Sequence, residues 1–296
     1  MEEVILEKRF GGISSDYAGL KKSKACIVQA PYEGTVTYVK GARKGPAAII
    51  DASVNMESFD DELQTETCKI GIYTCPPLEF DLSAPPEKAI GRVKDAISEV
   101  LQAGKFPVVL GGEHSVTVGA VRAAKESFKD LSVLFFDAHC DLRDEYRGSK
   151  YNHACTARRI HKICPLVEVG VRSLSHKEKE FLDTAPADLK VISVHDILRS
   201  HDWKKEVARS LTDTVYITID LDVLDPSMMP SVGTPEPGGL GWYEFMDLLK
   251  IVAKEKKVIG FDVVELSPRD GLAAPDFLAA KLIYRLLGYV FFNGRK

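Results

Sequence analysis

Short apolar runs alternate with longer amphipathic stretches along most of the chain. Apolar runs of about four to eight residues, bounded by turn-forming residues, are typical of strands buried on both faces of a sheet. Such runs predict strands at residues 25–30, 70–73, 107–110, 131–136, 166–171, 191–194, 215–221 and 258–264. Helical periodicity predicts helices at residues 87–103, 203–211, 242–255 and 275–290, and in the stretch that ends near residue 128.

The order of these elements predicts the fold class. Strands that alternate with helices form parallel sheets covered by helices on both faces. We count about eight strands and find no change in composition that would mark a domain boundary. The sequence therefore predicts one α/β domain over residues 1–296.

The strand predicted at residues 131–136 is the most informative, because it ends in a polar cluster. Asp137, His139 and Asp141 follow its apolar residues directly. Buried carboxylates repel one another and lose hydration, which is costly unless a cation binds them. An extended chain would separate Asp137 from Asp141 by roughly 13 Å, too far for one ion to contact both. We therefore expect the chain to curl back and bind metal at the carboxyl end of the strand, where open α/β sheets place their ligands.

Other strand ends also carry polar side chains. Asp220 and Asp222 share one face of a strand, about 6.6 Å apart along the chain, and this spacing suits two ions that share a carboxylate. His114 follows a strand and two turn-forming glycines, although a single histidine in this position is more often structural. Glu265 follows the last strand, either as an ordinary loop acid or as a group that reads a cationic substrate.

Together these strand ends supply two imidazoles and four carboxylates. Hard oxygen ligands with few nitrogens and no thiolate favour Mn²⁺ or Mg²⁺ over a structural zinc ion. Four negative charges would balance two divalent ions. The candidate ligands are His114, Asp137, His139, Asp141, Asp220 and Asp222.

Composition narrows the classes of function. The 296 residues are 45% hydrophobic and carry a net charge of −4, so there is no basic surplus for binding nucleic acid or an anionic membrane. The six cysteines contain no CxxC pair and suit a reducing compartment. Residues 1–10 lack the apolar core of a signal peptide, and no apolar run reaches the roughly 20 residues of a membrane span. We expect a soluble, cytoplasmic protein.

Three motifs also resemble those of a known family. The segments GGEHS, DAHCD and IDLDVLDPSMMPSVGTPEPGGL are similar to the metal-site motifs of the ureohydrolases, the arginase and agmatinase family. The likeness extends from PYEGTVTYVKGARKGP to FDVVELSP and so covers most of the chain. It implies a three-layer α/β/α sandwich around an eight-stranded parallel sheet, and a centre of two Mn²⁺ per subunit. Relatives commonly form trimers or hexamers, so the resemblance also implies a homo-oligomer.

The resemblance assigns roles to the candidate ligands. Asp137 and Asp220 match the two aspartates that bridge the ions. The remaining ligands match as one pair for each ion, His114 with Asp141 and His139 with Asp222.

Further residues match catalytic groups of the family. His153 matches the mobile histidine that shuttles protons, and Glu265 matches the carboxylate that pairs with the substrate guanidinium. Asp141 would pass a proton to the departing nitrogen after attack by water that two divalent ions activate. One departure is visible: Glu113 stands where many members have Asp, beside a matched ligand but not itself one.

Within the family the sequence is most similar to agmatinases, in TPEPGGL, FDVVELSP and HACTARR. Arginases typically carry a loop with Asn and Ser before the mobile histidine, whereas the corresponding residues 143–151 here offer Asp144 and Glu145. Either acid would suit the amine end of agmatine, whose hydrolysis to urea and putrescine serves polyamine biosynthesis, or would be a solvated loop acid. We also expect Asn152 and His153 to contact the substrate.

Other interpretations stay open on the sequence alone. The guanidino substrate could instead be arginine, aminopropylagmatine or guanidinobutyrate. An amidohydrolase of the related deacetylase fold would use a single zinc ion, which the paired Asp220 and Asp222 disfavour. A non-catalytic descendant of the family would bind metal without releasing urea.

Overall fold

The structure, a computed structural model, describes residues 9–292. Residues 1–8, which carry most of the segment used for the signal-peptide prediction, lie outside the described residues. The strands are β1 (Ala25–Ala30), β2 (Phe59–Asp60), β3 (Thr65–Glu66), β4 (Ile72–Thr74), β5 (Phe106–Gly111), β6 (Leu131–Phe136), β7 (Leu166–Val171), β8 (Leu189–Ser193), β9 (Thr214–Asp220) and β10 (Lys257–Val264). β2 and β3 form a short antiparallel pair, and the other eight strands form one parallel sheet in the order β4-β1-β5-β10-β9-β6-β7-β8.

Helices cover both faces of this sheet. They are α1 (Ser15–Ala18), α2 (Gly45–Ser53), α3 (Pro86–Gln102), α4 (Thr117–Ser127), α5 (Thr156–His161), α6 (His176–Asp183), α7 (Val194–Arg199), α8 (Trp203–Ser210), α9 (Trp242–Glu255) and α10 (Ala274–Phe292). Apolar side chains of α2, α7, α8, α9 and α10 pack against one face, and those of α3, α4 and α5, with part of α6, pack against the other. None of the helices within residues 9–292 is long and apolar enough to cross a membrane.

β6 illustrates why these runs form central strands. All six of its side chains are buried; Leu134 and Phe136 belong to one apolar layer, and Val133 and Phe135 belong to the other. A strand with this alternation is stable only between two layers of helices. The one polar residue, Ser132, accepts a hydrogen bond from the Thr212 amide at 3.0 Å, so its burial leaves no unpaired acceptor.

The strand order gathers the polar strand ends predicted from the sequence. β5, β10, β9 and β6 are consecutive neighbours in the sheet, and all four run parallel. Their carboxyl ends therefore lie along one stretch of the same edge, and the crevice outside such ends is where open α/β sheets bind ligands.

The predicted parallel sheet is confirmed, and most predicted boundaries lie within a few residues of those observed. Strands 25–30 and 166–171 and helix 242–255 agree completely. The strand predicted at 191–194 was placed too late, because it ends at Ser193 and α7 begins at Val194. Ser193 and Asp196 form a reciprocal capping box there, a pattern that fixes a helix start. The pair β2–β3 and the short helices α1, α6 and α7 were not predicted.

Gly112 links β5 to the site, and its substitution by alanine is expected to destabilise the fold. A Cβ atom at this position would lie 2.0 Å from the Tyr32 carbonyl oxygen, so the backbone must shift. We expect the Gly112→Ala variant to lose about 1–3 kcal/mol of unfolding free energy, as overpacked cores do. Urea denaturation of both proteins measures this loss.

Gly91, in the middle of α3, is the matched control, because a Cβ atom there would meet nothing within 4 Å. The Gly91→Ala variant should keep or gain stability, since alanine favours helix. Equal stability of the two variants would contradict the steric argument.

Candidate metal centre

The first group of candidate ligands surrounds the ring of His114, which follows β5. Its Nδ1 atom lies 3.0 Å from Asp137 Oδ2, 3.4 Å from Asp220 Oδ2 and 3.9 Å from Asp141 Oδ2. All four side chains are buried. Two ligand atoms that each lie about 2.1 Å from one ion, at right angles, are about 3 Å apart, so this spacing fits a common cation.

The second group lies on the other side of Asp137. His139 Nδ1 is 3.4 Å from Asp137 Oδ1 and 2.9 Å from Asp222 Oδ2. His139 is the more open of the two histidines, with a quarter of its side chain exposed. Asp137 thus presents one oxygen to each group, as a carboxylate shared by two ions must.

The chain reaches this arrangement by the predicted curl after β6. Asp141 has a φ of +47°, a left-handed conformation that is unfavourable for a residue with a side chain. The amides of the curled segment are paired, since His139 N donates to Asp137 Oδ1 at 2.6 Å and Ala138 N donates to Asp222 Oδ1 at 2.9 Å. Strain of this kind, held by surrounding contacts, is typical of functional sites.

The cluster contains more acidic than basic side chains, so it would bind cations. Burial, and then the charges of neighbouring aspartates, raises the pKa of Asp141 and Asp220 well above the ordinary value. Burial alone would also raise the pKa of Asp137, but hydrogen bonds and charges from His114 and His139 outweigh it and lower that pKa. Four buried carboxylates facing two imidazoles are short of positive charge, and divalent ions would supply it. The donor set of carboxylate oxygens and imidazole nitrogens therefore fits a pair of divalent ions.

A chain of hydrogen bonds behind the site fixes the orientation of His114. Its Nε2 atom lies 2.9 Å from Thr218 Oγ1, and Thr218 donates in turn to Asp262. Asp262 also accepts a hydrogen bond from the Tyr216 hydroxyl at 2.9 Å. When a cation displaces the proton on Nδ1, the proton kept on Nε2 by Thr218 leaves the Nδ1 lone pair free to bind that cation, which is the tautomer a metal ligand requires.

Glu265 lies at the same centre, directly after β10. It has a φ of +66°, and its Oε1 accepts the His114 amide at 2.7 Å. Its Oε2 faces Gly233, and both residues line a cavity beside the two ligand groups. Burial, followed by the charge of Glu113, raises the pKa of Glu265 to about 8, and a neighbouring cation would reverse that shift.

His153 and Glu265 line one cavity with Asp137, His139 and Asp141. The cavity has a volume of about 240 Å³, enough for a slender small molecule. Burial lowers the pKa of His153 to about 4. The imidazole is therefore neutral at pH 7, and its nitrogens can both accept and donate protons.

The structure does not bring Asp144 and Glu145 to this cavity. Both are exposed, and Asp144 forms ion pairs with Arg159 and Lys162. The hydrogen bond from Arg159 is the main cause that lowers the pKa of Asp144 to about 2. This geometry does not support the prediction that either acid reads the substrate's amine.

Asn152 has a positioning contact in place of the predicted substrate contact. It is buried; its Oδ1 accepts the Ala154 amide at 3.0 Å, and its Nδ2 donates to the Thr35 carbonyl at 3.3 Å. The side chain thus starts the turn that carries His153, and it is absent from the residues that line the cavity.

Sequence reasoning missed one acidic side chain of the cavity wall, Glu178. It is 4% exposed, accepts the Leu142 amide at 3.0 Å, and forms a capping box with Ser175 at the start of α6. The sequence Ser-x-x-Glu is a recognisable capping signal and could have located the helix start. Its place on the cavity wall depends on how α6 packs, which the local sequence does not encode.

Comparisons with known proteins find similar sequences and a similar fold. The arginase family model matches residues 23–288. The chain is 39% identical to the N(1)-aminopropylagmatine ureohydrolase of Synechocystis sp., over 89% of this chain and 88% of that one, and 36% identical to the agmatinase of Pyrococcus horikoshii, over 91% and 93%. The crystal structure of the agmatine ureohydrolase of Thermoplasma volcanium superimposes with a TM-score of 0.86 at 34% identity, covering 96% of this chain and 94% of that one.

Proposed function

Since the chain belongs to the arginase family, we propose that it hydrolyses a small amine-ended guanidine, agmatine or its N1-aminopropyl derivative, to urea and a polyamine. The observation that carries the proposal is the pair of ligand groups that share Asp137, beside the cavity that Glu265 and His153 line. Agmatine would yield putrescine, and the aminopropyl derivative would yield spermidine. The protein would act as a single domain and as a homo-oligomer, trimer or hexamer, in the cytoplasm.

Two Mn²⁺ ions per subunit are the cofactor that the donor set suits best. Asp137 and Asp220 would bridge the ions, and the short distances from Asp137 to both histidines support this role for Asp137. Bound ions lower the pKa of water and so supply a nucleophile at neutral pH. The terminal ligands would be His114 and Asp141 for one ion, and His139 and Asp222 for the other. One zinc ion per chain would instead favour the single-metal amidohydrolase alternative.

The protein's own residues would position the substrate and move protons. Glu265 would hold the planar guanidinium by charge-assisted hydrogen bonds, which sets its carbon within attacking distance. Asp141 would accept a proton from the attacking water and pass it to the departing nitrogen, and neutral His153 would exchange protons with the leaving amine. Because its pKa is lowered to about 4, His153 would hold an extra proton only briefly and would pass it on to the leaving amine.

Urea release from the Mn²⁺-loaded protein tests the proposal. Agmatine, N1-aminopropylagmatine and arginine are compared over concentration series. We expect an amine-ended guanidine to exceed arginine by at least about tenfold in kcat/KM, since the similar enzymes are named for amine-ended guanidines. The similarity to enzymes named for aminopropylagmatine supports that compound as the better substrate. Preference for arginine, or no urea from any of the three, would contradict the proposal.

Mn²⁺ binding is expected to weaken as pH falls from 8 to 6. The pKa values of His114, His139, Asp141 and Asp220 are all raised in the metal-free protein, so protons compete with an ion for these ligand atoms. Affinity should therefore fall by about tenfold per pH unit for each proton displaced. Calorimetric titration of the metal-free protein with Mn²⁺ at pH 6, 7 and 8 measures the slope.

The Asp202→Asn variant is the control for this titration, because Asp202, just before α8, has a side chain that is 76% exposed and pairs with Lys205. It should keep the wild-type slope. An affinity that is independent of pH in the wild-type protein would contradict the argument.

A further inference from the structure

The loop between β1 and α2 closes over the cavity and is fixed at both of its sides. Glu33 Oε1 accepts the Ala42 amide at 3.1 Å, which closes the loop on itself. Ser267 Oγ donates to the Lys40 carbonyl at 3.2 Å, which ties the loop to the segment after β10. Residues between these ties, Thr35 and Thr37 among them, are therefore held at defined positions above the site.

Glu113 anchors the inner side of this loop. The side chain is completely buried, and Thr35 contacts both of its oxygens: the amide donates to Oε2 and the hydroxyl to Oε1, each at 2.6 Å. Ser115 Oγ adds a third hydrogen bond, at 2.5 Å to Oε1. Hydrogen bonds to a buried carboxylate are short and strong, so Thr35 cannot turn away without removing two of these three bonds.

The other side of Thr35 holds the turn that carries His153. The His153 amide donates to Thr35 Oγ1 at 2.9 Å, and Asn152 Nδ2 donates to the Thr35 carbonyl at 3.3 Å. The Thr35 hydroxyl donates its one proton in the hydrogen bond to Glu113. A lone pair of the same oxygen therefore accepts the His153 amide. Thr37 Oγ1 lies 3.3 Å from Nε2 of the His153 ring.

We propose that Glu113, acting through the Thr35 hydroxyl, is a positioning residue for His153, with Thr37 orienting its ring. The role rests on the proposed function of His153 in moving protons. It accounts for the glutamate in the motif GGEHS, because an aspartate side chain would end about 1.5 Å short of Thr35. The loop over the cavity thus couples the segment of His114 to the turn of His153.

A matched pair of variants separates the hydroxyl from the bulk of the side chain. Thr35→Val removes the hydroxyl at nearly constant volume, and Thr35→Ser keeps it. We expect Thr35→Val to lower kcat by about 10- to 100-fold with little change in KM and with two metal ions still bound, and Thr35→Ser to stay within about threefold of wild type. Thr37→Val should lower kcat less and shift its pH profile.

A double-mutant cycle identifies the residue through which Thr35 acts. If Thr35 works through His153, the Thr35→Val change should cost nothing further in a His153→Ala background, whereas independent effects would add. Full additivity, or an unchanged kcat in Thr35→Val, would overturn the proposal. If Thr35→Val loses metal or unfolds, the same cycle with Thr37→Val tests the ring contact and hence the role of the loop.

A readout without substrate keeps this inference distinct from the proposed function. The His153 ring signals, assigned by their loss in His153→Asn, are recorded by NMR in the diamagnetic Mg²⁺-loaded protein. They should shift in Thr35→Val and Glu113→Asp but not in Thr35→Ser. Absence of urea release from the wild-type protein would refute the proposed function. His153 ring signals that do not shift in Thr35→Val would refute the positioning role.

Discussion

The Asp137→Asn variant is expected to lose urea release by at least about 1,000-fold, because it removes the charge that both metal sites would share. Asp137 presents one oxygen to His114 and the other to His139. Asparagine keeps the size of the side chain but offers only one oxygen and no charge. At least one of the two ions should therefore be lost, as elemental analysis of the purified protein would measure.

The Asp220→Ala variant is also expected to lose urea release and at least one ion. A surface variant distinguishes this loss from a general effect of removing a negative charge. Asp213 has a side chain that is 96% exposed, and its replacement by asparagine should leave two ions and full activity. Circular dichroism checks that the Asp137 and Asp220 variants remain folded. Retention of two ions and of turnover in either variant would refute the bridging roles.

The Glu265→Gln variant is expected to lower kcat/KM by about 100-fold, the worth of a charge-assisted hydrogen-bonded pair, while both ions stay bound. Glutamine can still accept the hydrogen bond that Glu265 receives from the His114 amide, so the local backbone is preserved. What it lacks is the negative charge that a guanidinium requires. Kinetics with agmatine and N1-aminopropylagmatine, together with metal analysis, measure both quantities.

Glu180→Gln is the matched control for Glu265→Gln. Glu180 has a side chain that is 64% exposed and pairs with His176 on the surface of α6, so its variant should keep wild-type kinetics. Loss of metal in Glu265→Gln would mean that the carboxylate serves the metal centre, and an unchanged kcat/KM would mean that it does not contact the substrate.

The central strands and their polar ends could be predicted because their signals are local. A buried parallel strand such as β6 appears in the sequence as an unbroken apolar run. An extended chain would hold Asp137 and Asp141 too far apart to contact one ion, so the sequence predicted a curl after β6. The left-handed φ of Asp141 produces that curl. The arrangement of four polar strand ends at one edge followed from the alternation of strands and helices.

The walls of the cavity could not be predicted, because side chains in loops take their partners from distant segments. Asp144 looked available in the sequence, yet Arg159 lies where it can bind that carboxylate only after α5 has packed. The Ser175–Glu178 capping signal is visible in the sequence, but nothing local shows that this helix start is turned inward. The partnership of Glu113 with Thr35 spans 78 residues, and no spacing rule anticipates it.

The position of β10 in the sheet also constrains how the protein is made. β10 follows all the other strands described in residues 9–292 but lies between β5 and β9, so the middle of the sheet stays open until residue 264 has left the ribosome. His114, on the far side of that gap, cannot meet Asp220 before then. The ligand group around His114 therefore cannot be complete before β10 has been synthesised, whereas Asp137, His139 and Asp222, which follow the adjacent strands β6 and β9, can come together earlier.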